Sequence, residues 1–266
     1  MARDGAKLLA VLIDADNVLP RHAEAILKEI GTIGEPALRR VYGDWSSSQL
    51  AGWKAKARDL GLVMHQQSAN TKGKNASDIG LVIDAMDILH AGKFDGFVLV
   101  SSDSDFTRLA SRIREEGLEV VGIGEAKTPE SLRKVCNRFI LIENIMTDAE
   151  PESEPKTVSP VVRTEPVPAQ AGPALGGPAL GGPAQERAAK KPMMDAIPLI
   201  AMAMKTIDPD GEWYSLGQLG QYMVRADPDF DSRTYGAAKL SDLIKGLPKR
   251  FEAKKDGNHW LIRDIA

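Results

Sequence analysis

Continuous apolar runs alternate, over the first 146 residues, with segments whose apolar side chains return every third or fourth position. LLAVLI (8–13) is apolar throughout, as a strand covered on both faces requires. Pro20 opens a helix that carries Ile26, Leu27 and Ile30 on one side and stops at Gly31. LRRVYG (38–43) predicts a second strand, residues 46–61 a helix with a Ser cap and a Gly end, and LVMH (62–65) a third strand. After the polar loop 69–77, Ile79, Val82, Ile83, Met86 and Leu89 fall at helical spacing and predict the buried face of the next helix. FVLVSS (97–102) predicts a strand, and Phe106, Leu109, Ala110 and Ile113 a helix ending at Gly117. LEVVGIG (118–124) is a strand. Thr128 is read as a cap, with Pro129 opening a helix through about Arg138, and FILI (139–142) closes the pattern. Such alternation builds βαβ units: an α/β fold with a parallel sheet and helices on both faces.

The pattern changes at residue 147. Residues 147–191 are rich in Pro, Ala, Gly and Glu and repeat ALGGP at 174–178 and 179–183. They offer too little apolar surface to offset chain entropy and read as a disordered linker. Periodicity returns over 192–266. Met193–Ile207 is helical, with Pro198 marking its true start, and Ser215 caps a helix with Leu216, Leu219 and Met223. A third helix near 233–246 uses Tyr235, Leu240, Leu243 and Ile244. RFEAKK, the turn DGN (256–258) and HWLIR make a hairpin. Three helices and a terminal hairpin predict a small winged helix-turn-helix. The expected organisation is therefore 1–146, 147–191 and 192–266.

Charge narrows the function. Basic against acidic residues number 19 to 20, 5 to 6 and 10 to 11 in the three parts, so each carries −1 and the chain −3. No part has the basic footprint of a nonspecific nucleic-acid binder. Nucleic-acid contact must come from local patches or from cations that offset aspartates. One cysteine, Cys136, and four histidines exclude a disulfide framework and argue against a Cys/His zinc site. Cys136 reads as a small buried hydrophobe. The first apolar run is too short for a signal peptide, and no stretch reaches transmembrane length, so a cytoplasmic protein with no membrane partner is expected.

The chemistry gathers on aspartates. Asp14 and Asp16 follow the first strand, Asp103 and Asp105 follow FVLVSS, and Asp78 opens the helix after the loop 69–77. Ligands of open parallel sheets bind outside the carboxyl ends of the strands, so all three segments should meet there. Two carboxylates about 4 Å apart repel by about 4 kcal/mol at an effective dielectric of about 20. A divalent cation offsets that cost, and oxygen-only donors favour Mg²⁺ or Mn²⁺. An ion held this way can clamp a phosphodiester and activate water. Asp78 borders the expected buried face of its helix, whereas Asp84 and Asp87 lie away from that face, with Asp84 still a candidate if the helix start bends. Ser104 or Asp105 is also a candidate helix cap. Lys72 and Lys74 are candidate phosphate contacts, and Asn17, Ser101 and Ser102 candidate substrate or water contacts; all of these equally suit ordinary loop or capping roles.

IDADN (13–17), KNASDIGLVIDAMD (74–87) and VSSDSDF (100–106), in this order, resemble the NYN domain, a PIN-like nuclease family that includes LabA-like proteins. The resemblance covers residues 7–146. It implies metal-dependent RNA cleavage, with Asp14, Asp78, Asp103 and Asp105 at the acidic metal-binding positions and Asn17 at the polar position of the first motif. The third motif reads SSDSDF where SGDSDF is common. Residues 210–223, 227–248 and the terminal hairpin resemble an OST-HTH/LOTUS domain, which implies binding to RNA and to protein partners. Lys249, Arg250, Lys254 and Lys255 form a basic strip there, and Tyr235 and Trp260 are either stacking surfaces or core.

The expected function is an Mg²⁺- or Mn²⁺-dependent endoribonuclease with an RNA-binding winged helix. The linker would let that domain hold RNA while the N-terminal domain samples it. Two alternatives stand beside it. DADN (14–17) fits the D-x-D pattern of haloacid-dehalogenase phosphatases, with Asp14 as nucleophile. A non-catalytic RNA-binding scaffold with a degenerate site is the other.

Overall fold

The computed structural model describes residues 5–66, 76–146, 190–257 and 259–265. The loop lysines Lys72 and Lys74 and most of the 147–191 segment lie outside these residues.

Six parallel strands form one sheet: β1 (Leu8–Asp14), β2 (Glu35–Gly43), β3 (Val63–Gln66), β4 (Gly96–Val100), β5 (Glu119–Gly124) and β6 (Arg138–Leu141). Their order is β3-β2-β1-β4-β5-β6. Alternation along β1 sorts the core into two layers. Leu9, Val11 and Ile13 face α1 (Ala23–Gly31), α2 (Ala51–Leu60) and α6 (Ile142–Met146). Ala10 and Leu12 face α3 (Ala76–His90), α4 (Thr107–Glu115) and α5 (Glu130–Val135). The α/β architecture and parallel sheet expected from the sequence are present. β2 starts earlier than expected and includes Pro36. β3 reaches only Arg40–Gly43 of β2, so Pro36, with no N–H to give, lies where β2 has a single neighbour.

Several local expectations change. Residues 46–61 hold a 3₁₀ turn and then α2; the Ser47 hydroxyl accepts from Gln49 N, and Gly61 closes the helix at φ 63°. Thr128 does not cap α5: its hydroxyl donates to the Glu125 carbonyl, and Pro129 itself occupies the cap position. Cys136 ends α5, buried as expected.

The largest correction concerns α3. Ile79 and Ile83, expected inside, are 62% and 58% exposed. The buried face is Leu81, Ala85, Ile88 and Leu89. A helix this apolar offers more than one arc to a core. The one chosen sets the small, fully buried Ala85 against the sheet, and Asp78 falls in line with Leu81, Ala85 and Ile88 at helical spacing.

Residues 190–265 form a second core around Ile200, Met204, Leu219, Leu243 and Ile262. Its elements are α7 (Ile197–Ile207), β7 (Tyr214–Ser215), α8 (Leu216–Ala226), α9 (Leu240–Lys245), β8 (Phe251–Asp256) and β9 (His259–Asp264), with sheet order β7-β9-β8. Pro198 sits in the first turn of α7, as its missing N–H allows. The helix expected over 233–246 is broken: a 3₁₀ turn, Ser232–Tyr235, ends at Gly236 with φ 80°, and α9 begins only at Leu240. Among the described residues, no helix is long and apolar enough to cross a membrane.

Candidate metal centre and nucleic-acid surface

The sheet order reverses between β1 and β4, which are neighbours although β2 and β3 separate them in sequence. The crevice at such a switch point lies outside the carboxyl ends of the strands. Asp14 is the last residue of β1, on the same side as Ala10 and Leu12, and so aims at the α3 layer. Asp103 and Asp105 lie just beyond β4, and Asp78 lies in the first turn of α3.

Asp78, Asp103 and Asp105 each offer a carboxylate oxygen, and these atoms lie within 4.8 Å of one another. At that separation each pair of unit charges repels by about 3.5 kcal/mol or more at an effective dielectric of about 20. Burial, together with Asp14, Asp103, Asp105 and Asp16, pushes the Asp78 carboxyl up to about 6. Three converging oxygen donors, half-buried or exposed, could hold a hard divalent cation.

Asp14 lies outside that group of three. It is 1% exposed, and both of its oxygens are engaged. Oδ1 accepts from Asp16 N at 3.0 Å; Oδ2 accepts from Asn17 Nδ2 at 2.6 Å and from the Ser101 hydroxyl at 2.8 Å. Burial raises its carboxyl above the ordinary range despite these donors. Ser101 Oγ in turn accepts from Asp103 N at 3.1 Å. A chain of hydrogen bonds, Asp103 to Ser101 to Asp14, thus stitches the turn after β4 to the turn after β1. Gly124 makes room for it, since a Cβ there would stand 2.7 Å from the Ser101 carbonyl.

The other candidates are placed by the same logic. Asp103, rather than Ser104 or Asp105, caps the 3₁₀ turn 104–106, accepting from Asp105 N at 2.9 Å. Ser102 is buried and accepts from Glu125 N at 2.9 Å, so it braces the neighbouring loop. Asn17 and Ser101 orient Asp14.

Asp84 does not point away, as its helical position suggested. It is half-buried, accepts hydrogen bonds from Arg40 and Tyr42, and lies 3.8 Å from His65 Nδ1. Burial works against its charge, but the Arg40 and Tyr42 donors outweigh it and hold the carboxyl below the ordinary range. Tyr42 is the register partner of Asp14, so this pairing anchors α3 to the strand beside the acidic crevice.

The winged helix carries cations on aromatic faces. Lys254 Nζ lies 3.7 Å from the Trp213 ring centre and the Arg263 guanidinium 4.8 Å from it; Lys245 Nζ lies 4.5 Å from that of Trp260. The expected basic strip is divided. Lys254 and Lys255 alternate to opposite faces of β8, opposite Leu261 and Trp260, and Arg250 is bound to Asp264 at 2.7 Å. Lys249 is exposed ahead of β8. Tyr235 is buried against Phe230, in the core rather than on a stacking surface. Trp213 precedes a strand of only two residues, too short for alternation in the sequence to mark its exposed face.

A family model described as the NYN domain matches residues 8–143. The chain belongs to the NYN domain family. That domain is part of the PIN-like nuclease superfamily. A second model, the OST-HTH/LOTUS domain, matches residues 189–260. Among solved structures, a protein of unknown function from Vibrio parahaemolyticus is 21% identical; the match covers 53% of this chain and 96% of that one, with a TM-score of 0.44. An uncharacterized protein from Nitrosomonas europaea is 27% identical over 37% of this chain and 93% of that one, with a TM-score of 0.24. No curated protein matches the sequence.

Proposed function

We propose that the chain is a divalent-metal-dependent endoribonuclease, with the active centre at the β1–β4 crevice of its NYN domain and RNA held by its OST-HTH/LOTUS domain. The convergence of Asp78, Asp103 and Asp105 within 4.8 Å carries this reading. These three hold the cation, which when bound supplies Lewis-acid chemistry at a phosphoryl oxygen and acidifies water. Asp14 adds negative charge beneath them and, through Ser101, fixes the backbone that presents Asp103. Asn17 holds Asp14 in that orientation. Lys72 and Lys74, in the polar loop of the second motif region, would contact substrate phosphates, and Lys249, Lys254 and Lys255 would contact RNA on the winged helix.

The phosphatase reading does not suit the site. A D-x-D nucleophile needs an accessible carboxylate, and Asp14 is buried with both oxygens engaged.

Cleavage of a mixed RNA pool is expected with Mg²⁺ or Mn²⁺, is expected to stop in EDTA, and is expected to fall roughly 100-fold in Asp103→Asn. Cleavage that survives both treatments rules out this mechanism. RNA binding with no cleavage in either metal favours the scaffold. Trp213→Ala is expected to weaken RNA binding roughly ten-fold by loss of the ring on which Lys254 and Arg263 are seated, read by fluorescence anisotropy. Unchanged affinity in a variant of unchanged melting temperature removes Trp213 from the RNA surface.

A further inference from the structure

The segment 227–234, between α8 and α9, reaches across to the NYN domain, and both belong to one compact unit. Its carbonyl at Pro228 accepts the Phe139 N–H at 2.8 Å. Phe139 lies in β6, the last strand of the sheet, so this bond covers an edge amide that would otherwise be open to another strand. Two acidic residues of the segment meet two basic residues of α5: Asp227 with Lys134 at 2.7 Å and Asp229 with Arg133 at 3.0 Å. Charge then crosses the other way. Arg233 binds Glu29 of α1 through both guanidinium branches, at 3.1 and 2.8 Å, and is braced by Asp231 at 2.8 Å. Thr234 Oγ1 accepts from Asn144 Nδ2 at 2.9 Å.

The Arg233, Asp231 and Glu29 side chains are only 12%, 10% and 15% exposed. Charges withdrawn this far from water are tolerated when the geometry is paired and bidentate, and such pairing selects one arrangement over others. None of these residues belongs to the acidic crevice or to the Trp213 surface.

We infer that residues 227–234 are a built docking segment that seats the winged helix on the β6 edge of its own NYN domain. The two domains then meet RNA as one body, and the freely sampling tether expected from the sequence does not describe them. The seat stands whether or not the crevice cleaves RNA.

Charge reversal on the full chain tests it, read by small-angle scattering and amide exchange. Arg233→Glu is expected to raise the radius of gyration and to speed exchange at the Phe139 amide about ten-fold or more. Asp227→Lys is expected to do the same more weakly, and Lys134→Glu added to it to restore both readings. Because the second pair is more exposed, it tests the seat even if Arg233→Glu misfolds. Unchanged dimensions and exchange in Asp227→Lys, or failure of Lys134→Glu to rescue it, overturn the seat. A doubled mass in the parent chain also overturns it, since the segment would then dock on a second copy.

Discussion

Asp78→Asn is expected to abolish metal-dependent cleavage and, at the same time, to make the metal-free protein more stable. The substitution removes one of three converging donors and with it much of the charge stabilisation an ion would give, a loss of roughly 10²–10³-fold in rate. Stability moves the other way because the ion-free carboxylates repel. Burial and the neighbouring aspartates push the Asp78 carboxyl up to about 6 in the folded chain, against 3.8 for an unperturbed aspartate. The folded state therefore holds this proton more tightly than the unfolded chain, and stability from this group falls as pH rises from about 4 through about 6. Asparagine has no such slope. After discounting for the solvent that reaches a half-buried group, the gain above pH 6 is about 1 kcal/mol, or about 2–4 °C in melting temperature. Melts in EDTA at pH 4.5 and pH 7 check it. Equal melting temperatures for the two proteins at pH 7 would show that no repulsion was relieved.

Asp84→Ala is expected to show the opposite signature, with lower stability and a smaller loss of activity. Removing Asp84 strands the Arg40 guanidinium and leaves the Tyr42 hydroxyl without its acceptor. Breaking a fully buried pair costs about 3–5 kcal/mol. The Arg40 and Asp84 side chains are 26% and 20% exposed, so about 2 kcal/mol is the expected cost here. The group is depressed in the folded state, so its contribution is present at pH 7 and disappears as pH falls below about 4. Loosening α3 moves Asp78 as well, so affinity for Mn²⁺ should weaken without vanishing. A stability equal to wild type at pH 7 would show that this pairing does not anchor α3.

Much of the site was legible because it depends on short-range pattern. Two apolar runs with aspartate at or just beyond their ends mark strands whose carboxyl ends must share an edge, and the motif order placed Asp78 with them. The face of α3 was not legible. Ile79, Leu81, Val82, Ile83 and Met86 leave periodicity with competing solutions, and the partners that decide between them, Arg40 and Tyr42, lie some 40 residues upstream. The docking segment was hidden for a related reason. Asp227, Asp229 and Arg233 look like ordinary surface charges until α1, α5 and β6 meet them. The break before α9 was missed as well: Gly236, in the left-handed region after SRTY, ends the 3₁₀ turn inside the span expected to be one helix.

Mn²⁺ titration followed by electron paramagnetic resonance tests most directly whether the three aspartates act together. The wild-type chain is expected to bind the ion, Asp78→Asn, Asp103→Asn and Asp105→Asn each to bind it at least about ten-fold more weakly, and Asp87→Asn to bind it like wild type. Equal Mn²⁺ affinity in all five proteins would contradict the account.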